Sequence, residues 1–169
     1  SKRHDLALAA FARAVPRPWR LVLVQRRKAS RSLARLATQL QVADRVIWLE
    51  TVAREDLVTL LQAAGGLIQS SVYEGFGLPA LEAMACGCPV VASDIPPIRE
   101  VTAGSALLFA AGEVDALASA LREFVGSTEL RRSLAEQGLA RSRDFSWDRC
   151  ASETLEVYHR AAAQPSSDR

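Results

Sequence analysis

The chain has 169 residues, of which 49 % are hydrophobic and 24 % charged, and its formal net charge is +2. This length suits one ordinary domain with a real core, and the composition has the balance expected of a globular protein. A net charge so close to zero gives no electrostatic support to nucleic-acid binding. No apolar run approaches the roughly 20 residues that span a membrane, and the first residues lack a signal-peptide pattern, so we expect a cytoplasmic protein.

Short apolar runs alternate with longer amphipathic patterns along the chain. In chain order, the patterns predict a helix at 5–15, a strand at 21–24, a helix at 30–40, a strand at 45–49, a helix at 54–64, a strand at 66–69, a helix at 78–86, and strands at 89–92 and 106–109. Helices at 114–125, 129–143 and 147–162 follow, and 164–169 is predicted to be a disordered tail. Alternating strands and helices indicate an α/β fold, in which a Rossmann-like parallel sheet carries helices on both faces.

Cysteine and histidine residues do not match a metal-binding pattern. Cys86 and Cys88 form a Cys-Gly-Cys sequence without a nearby histidine, and Cys150 lies far away. His4 and His159 are also far apart, so we expect neither a metal site nor a disulfide framework. A basic cluster after the first strand favours a solvated face over an anion site: Arg26, Arg27, Lys28, Arg31 and Arg35.

The loop after Gln69 contains the residues that suggest a ligand site. Ligands bind parallel sheets beyond the carboxyl ends of the strands. Glu74 lies in this loop, Gly75 and Gly77 follow it, and a helix begins there, whose free N–H groups suit a phosphate. Glu82 lies eight residues after Glu74, on the helix. Two ordinary surface acids on a helix-entry turn fit this spacing equally well.

The sequence around these residues resembles a large family of retaining glycosyltransferases. The run SSVYEGFGLPALEAMACGCPVVASDIPPIREV is similar to the donor-site signature of the family 4-like, group 1 enzymes, with the E-x7-E pair at Glu74 and Glu82. The similarity extends from KRHDLALAAF to FSWDRCASETLEVY. It implies the C-terminal, donor-binding half of a GT-B fold, within a hexosyltransferase that uses a nucleoside-diphosphate sugar. The match is best to mannosyltransferase-like sequences, so GDP-mannose is the favoured donor.

The resemblance also implies roles for individual residues. Glu74 would contact the donor hexose, and Glu82 the ribose hydroxyls. The backbone N–H groups of the next residues would bind the sugar and the diphosphate: Gly75, Phe76, Gly77 and Leu78. Lys2 would neutralise the diphosphate leaving group without a metal or other cofactor, although a loose terminal lysine is the alternative. The base would lie along Glu50, Thr51 and Val52.

Several residues depart from the family pattern. Gln25 and Glu50 stand where glycine is usual, Gly65 where aspartate is usual, and Ser70 where proline is usual. These departures concern the base pocket and the loop after Val24. They favour either an altered specificity or a weakened site.

The expected domain covers residues 1–163, and its first strand is expected to be missing. The N-terminal acceptor-binding domain is also expected to lie outside this chain, so we expect the isolated chain to be inactive. Any peripheral membrane association would involve only that other half. Trp147 and Tyr158 in the last helix are expected to pack rather than stack on a ligand, on a face that is apolar if its partner domain is absent.

Two other functions were compared with this interpretation. A degenerate, non-catalytic sugar-nucleotide-binding or assembly module is the alternative. A dinucleotide oxidoreductase is excluded, because no G-x-G-x-x-G sequence follows Leu21–Val24.

Overall fold

The structure is a computed structural model that describes residues 2–24 and 30–163. The strands are β1 Leu21–Val24, β2 Val46–Leu49, β3 Leu67–Gln69, β4 Val90–Ser93 and β5 Leu107–Phe109. The helices are α1 His4–Ala14, α2 Arg31–Gln39, α3 Arg54–Ala63, α4 Leu78–Ala85, α5 Pro96–Thr102, α6 Val114–Gly126, α7 Thr128–Ser142 and α8 Trp147–Ala163. Each strand and helix listed in the sequence analysis is confirmed, with ends that differ by no more than one residue. The predicted tail, 164–169, lies outside the described residues.

All strand pairs are parallel, but the described strands form two separate sheets. β1 pairs with β2 in the register Leu21↔Val46, and β3, β4 and β5 form the second sheet in that order. Each strand is followed by a helix that returns the chain to the other end of the sheet, which confirms the α/β Rossmann-like class.

A cavity of ≈ 540 Å³ lies between the two sheets and is lined by residues of both β1 and β3. The described strands therefore do not close into one continuous sheet. Both polar side-chain atoms of Gln69, at the end of β3, are buried without a hydrogen-bond partner within residues 2–24 and 30–163. The Gln69 amide is thus an exception among buried amides, which normally have partners. The absence of a first strand from this domain stays a prediction.

Two clusters of buried side chains hold the helices against the strands. In the larger one, Leu8 and Phe11 of α1 pack with Leu117 and Leu121 of α6. In the second, α4 and α5 pack together through side chains that include Met84 and Ile98. Burial of each such side chain contributes roughly 1.5–3 kcal/mol to the stability of the folded state. This packing fixes the position of α4 and of its amino end.

Arg45 does not belong to β2, which is a correction to the predicted strand. It ends a short 3-10 turn, Ala43–Arg45, and its side chain is buried. The guanidinium donates hydrogen bonds to the carbonyls of Val15, Pro16 and Trp19 at 2.7 to 3.2 Å. It also lies 4.5 Å from the ring centre of Phe11. Arg45 thus ties the loop before β1 to the start of β2.

Within the described part of the chain, the aromatic residues of α8 do not pack against the domain, and the helix has the exposed apolar side chains that were expected without a partner domain. No residue of α8 is buried, and Trp147 and Tyr158 are 78 % and 65 % exposed. Leu155 and Val157 of the same helix are also exposed. α8 therefore presents apolar side chains to solvent here. None of the described helices combines the length and apolar character needed to cross a membrane.

Candidate functional site

The first residues of the chain are attached to the carboxyl end of β3. Ser70, which directly follows β3, is buried, and its hydroxyl lies 2.9 Å from the carbonyl oxygen of Lys2 and 3.0 Å from that of Arg3. One hydroxyl donates one hydrogen, so these two carbonyls share it. This contact joins positions 68 and 67 residues apart in sequence and places Lys2 beside the loop that contains Glu74.

The turn from β3 into α4 is shaped around Gly77. Gly77 is the N-cap of α4 and has a left-handed backbone, with φ 105° and ψ 33°. A Cβ atom at this position would lie 2.8 Å from Cδ1 of Ile98 in α5. Glycine is therefore required both for the backbone angle and for the close approach of α5.

Four successive backbone N–H groups at this turn are free to bind a ligand. Among the described residues, the N–H groups of Gly75, Phe76, Gly77 and Leu78 donate no hydrogen bond to the protein. The carbonyl of Gly77 already accepts from Ala80, at 3.0 Å. Unpaired N–H groups at the amino end of a helix attract anions, because the helix dipole is positive there.

Three predicted site residues line the same cavity. Lys2, Glu74 and Glu82 all line it, together with His4 and Ser70. Glu74 is half-buried, whereas Lys2 and Glu82 are exposed. The predicted loop residues 75–78 do not line this cavity. The structure therefore brings one lysine and two glutamates into the lining of one cavity, and residues 75–78 follow Glu74 directly in the chain.

His4 modifies the electrostatics of this opening. Burial, with a smaller contribution from the charge of Lys2, lowers the pKa of His4, and Asp5 opposes this effect. Folding therefore favours the neutral form of this imidazole.

The structure does not bring every predicted residue to this cavity. Glu50, Thr51 and Val52 follow β2 and are absent from its lining; Glu50 and Thr51 are exposed and Val52 is half-buried. Arg3, next to Lys2, binds the carboxylate of Asp5 at 3.1 to 3.2 Å.

The basic cluster and one departure from the family pattern fall partly outside the described residues. Gln25, Arg26, Arg27 and Lys28 lie in the segment 25–29, which the structure does not describe. Arg31 and Arg35 lie on α2 and are exposed, as expected of a solvated face.

Two departures from the family pattern have structural reasons. At Gly65, a Cβ atom would lie 2.3 Å from Cζ3 of Trp19, so the larger aspartate would require that ring to move. At Ser70, the hydroxyl holds the backbone of Lys2 and Arg3. Both residues fit this chain's own packing.

Asp94, which follows β4, does not cap the helix α5. The N-cap of α5 is Ile95, without a side-chain cap. The Asp94 carboxylate instead accepts two hydrogen bonds from the guanidinium of Arg99, one of them at 2.7 Å. The hydrogen bond to Arg99 lowers the pKa of Asp94. Glu100 is exposed on α5, as expected.

Sequence reasoning missed Ser70 and His4 as parts of the site. His4 lies two residues after Lys2, so its nearness to the site follows once Lys2 is placed there. The bond from Ser70 to the start of the chain has no local sequence signal, because its partners are distant in sequence.

Comparisons with known proteins identify the family of this chain. A model of the family of glycosyl transferases group 1 matches residues 1–141, and the chain belongs to this family. An MMP α-(1→4)-mannosyltransferase from Mycolicibacterium hassiacum is 35 % identical over 154 residues, which are 89 % of this chain and 38 % of that enzyme.

Two solved structures share the fold. Sucrose-phosphate synthase from Thermosynechococcus elongatus aligns with a TM-score of 0.85 and 29 % identity, over 96 % of this chain and 43 % of that one. Anabaena Alr3699/HepE, solved in complex with UDP and glucose, aligns with a TM-score of 0.83 and 25 % identity, over 94 % of this chain and 45 % of that one. The chain thus spans less than half of the length of each of these relatives.

Proposed function

We propose that this chain is the donor-binding domain of a glycosyltransferase that transfers a hexose from a nucleoside-diphosphate sugar and retains the anomeric configuration. The favoured hexose is mannose, and the favoured donor is GDP-mannose. One observation carries the proposal: Lys2, Glu74 and Glu82 line a single cavity, and the unpaired N–H groups of residues 75–78 directly follow Glu74 in the chain.

The diphosphate of the donor would lie at the amino end of α4. The unpaired N–H groups of residues 75–78 provide hydrogen-bond donors there, and Lys2 adds a positive charge. Departure of a nucleoside diphosphate concentrates negative charge on its oxygens, and fixed donors and a cation stabilise that charge. In this proposal no metal ion is needed, and no cofactor takes part.

The two glutamates would bind different parts of the donor. Glu74 is half-buried in the loop before α4, where its carboxylate can accept hydrogen bonds from hexose hydroxyls. Glu82 is the fifth residue of α4 and lies about 6 Å along the helix axis from Leu78, the first residue of that helix. That separation suits the ribose, which is joined to the far side of the diphosphate.

The choice of base and sugar rests on the relatives. Similarity to a mannosyltransferase supports mannose, while the likeness to a structure that holds UDP and glucose supports a uridine nucleotide equally well. Because the chain spans under half of these relatives, we propose that acceptor binding, and hence transfer, needs a second domain. The isolated chain would bind the donor without transferring the sugar. We place that binding in the cytoplasm, and any peripheral membrane contact in the second domain.

A degenerate binding or assembly module is the second candidate. The observation that favours it is that Glu50, Thr51 and Val52 do not line the cavity that contains Glu74 and Glu82. A base pocket that is not joined to the sugar site would leave the donor weakly held.

A thermal-shift panel of UDP-, GDP- and ADP-sugars at millimolar concentration separates the two candidates. A ligand at ten times its Kd stabilises the folded state by about 1.4 kcal/mol, which raises the Tm of a domain this size by several degrees. We expect one base to produce this shift, and the GDP-sugars are favoured.

The variant Glu82→Ala should abolish the shift, whereas Glu136→Ala, an exposed glutamate on α7, should preserve it. If no nucleotide sugar shifts the Tm of the unmodified chain, the degenerate module is the better description.

A further inference from the structure

Phe76 lies between two glycines of the donor loop, residues 70–77, and it contacts a residue far along the chain. Its ring lies edge-to-face with that of Phe145, with ring centres 5.9 Å apart and an interplanar angle of 84°. Phe145 lies in the short connection between α7 and α8, beyond residues 1–141 that match the family model. Edge-to-face pairs are a favoured aromatic geometry, so this contact restrains the loop from outside.

Arg141 of α7 holds Phe145 in place from the other side. The carbon at the centre of its guanidinium lies 4.7 Å from the ring centre of Phe145. The same group donates hydrogen bonds to the backbone carbonyls of Val101, at 3.1 Å, and Glu100, at 2.9 Å. A third hydrogen bond, of 2.9 Å, reaches the carboxylate of Asp144. Arg141 therefore fixes Phe145 relative to the carboxyl end of α5.

The donor loop is also fixed to α5 at its other end. Gly77 approaches Ile98 so closely that a Cβ atom would lie 2.8 Å from Cδ1 of Ile98. Arg141 binds the carbonyls of the same helix two and three residues further on. The loop is thus held at two points. Gly77 packs directly against α5, and Phe76 contacts Phe145, which Arg141 links to α5.

We propose that Phe145 and Arg141 are positioning residues for donor binding, since they hold Phe76 and thereby aim the N–H groups of residues 75–78 at the diphosphate. This inference rests on the proposed function. A glycine-rich loop has many backbone conformations, and ordering it on binding weakens affinity. A loop already ordered by the Phe76–Phe145 contact avoids that loss.

The test compares Phe145→Ala with a conservative and a matched variant in the full chain. Phe145→Tyr keeps an aromatic ring at this position. Trp147→Ala removes an aromatic side chain two residues away that is exposed and has no ring contact within the described residues. For each protein, two quantities are measured: the Kd for the nucleoside diphosphate found in the Tm panel, and the ¹⁵N order parameters of Gly75, Phe76 and Gly77.

We expect Phe145→Ala to raise the Kd about fivefold and to lower the loop order parameters toward 0.6, the range of flexible backbone. Phe145→Tyr should restore both quantities, and Trp147→Ala should change neither. Arg141→Met should act in the same direction as Phe145→Ala. Unchanged order parameters and Kd in Phe145→Ala would overturn the inference.

The two proposals fail in different ways. If the unmodified chain binds no nucleoside diphosphate, the proposed donor site is wrong. The order parameters, measured on the ligand-free protein, still decide whether Phe145 restrains the loop. If the chain binds but Phe145→Ala binds equally well, only the positioning role is wrong.

Discussion

Replacing Gly77 with alanine separates two reasons for a glycine at the start of α4. The first is the backbone, because φ 105° is a left-handed conformation that costs an L-residue about 1–2 kcal/mol. The second is space, because the new Cβ would lie 2.8 Å from Cδ1 of Ile98. Alanine also reduces the freedom of the unfolded chain, which offsets about 0.4–1 kcal/mol.

These contributions give an expected destabilisation of about 2 kcal/mol for Gly77→Ala, since overpacking a buried site adds about 1–3 kcal/mol to the backbone cost. The variant Ile98→Val removes Cδ1 and leaves the next atoms, Cγ1 of Ile98 and Cγ2 of Val101, 4.0 Å from the added Cβ. In that background Gly77→Ala should cost only the backbone part, about 1 kcal/mol or less.

Urea unfolding at equilibrium gives the four free energies of this double-mutant cycle. Gly75→Ala is the matched control, because Gly75 has open space around its Cβ direction and no positive φ. We expect it to change the free energy of unfolding by less than about 0.5 kcal/mol. Equal effects of Gly77→Ala and Gly75→Ala would refute the structural reasoning, as would a Gly77→Ala cost that Ile98→Val does not reduce.

Three further predictions concern stability and reactivity. Arg45→Lys should lower the free energy of unfolding, measured in urea, by about 2–3 kcal/mol. The reason is that an ammonium group cannot bind three carbonyls and stack on Phe11 as the guanidinium does. An unchanged free energy of unfolding would contradict the role assigned to this buried cation. Gln69→Leu should raise the free energy of unfolding by about 1 kcal/mol, since it removes buried polar atoms that have no partner in the described structure, and a decrease would show that the amide is satisfied. Burial raises the pKa of the Cys88 thiol to about 11, so at pH 8 iodoacetamide should label exposed Cys150 and spare Cys88 until the chain is unfolded; equal labelling rates in the folded protein would contradict this.

Ionisation of Cys88 also makes the free energy of unfolding depend on pH in the alkaline range. The folded-state pKa of Cys88 lies above its ordinary value of 9.0, so the neutral thiol is favoured by folding. The stability that the folded state gains from this neutral thiol is complete below pH 9. It is lost as the pH rises from about 9 to 11, because the thiol ionises at lower pH in the unfolded chain than in the folded one. Substitution by alanine should flatten this part of the stability curve.

The positions of the strands and helices followed from the sequence because each depends on a local pattern. The apolar run Leu21–Val24 and the amphipathic stretch that forms α6 carry their own periodicity, which requires no knowledge of their neighbours. The position of the loop between β3 and α4 followed in the same way, because it lies between two such local patterns.

Contacts between distant parts of the chain could not be predicted in this way. The hydroxyl of Ser70 donates to the carbonyl of Lys2, which is 68 residues away in sequence, and Phe76 contacts Phe145 over a similar sequence separation. Neither contact produces a period or a motif. The burial of Arg45 was missed because its position before an apolar run is typical of a strand end, and its carbonyl partners come from the loop before β1.

Isothermal titration calorimetry tests most directly whether Glu74 binds the hexose and Glu82 binds the ribose. The Kd of the nucleotide sugar and of its nucleoside diphosphate would be measured for the unmodified chain, Glu74→Gln and Glu82→Gln. Loss of a charged hydrogen-bond acceptor costs about 1.5–3 kcal/mol, which is about tenfold or more in Kd. We predict that Glu82→Gln weakens both ligands by the same factor, whereas Glu74→Gln weakens only the ligand that carries the hexose. Equal weakening of both ligands by Glu74→Gln, or no effect of either substitution, would contradict the assignment of Glu74 to the sugar and Glu82 to the ribose.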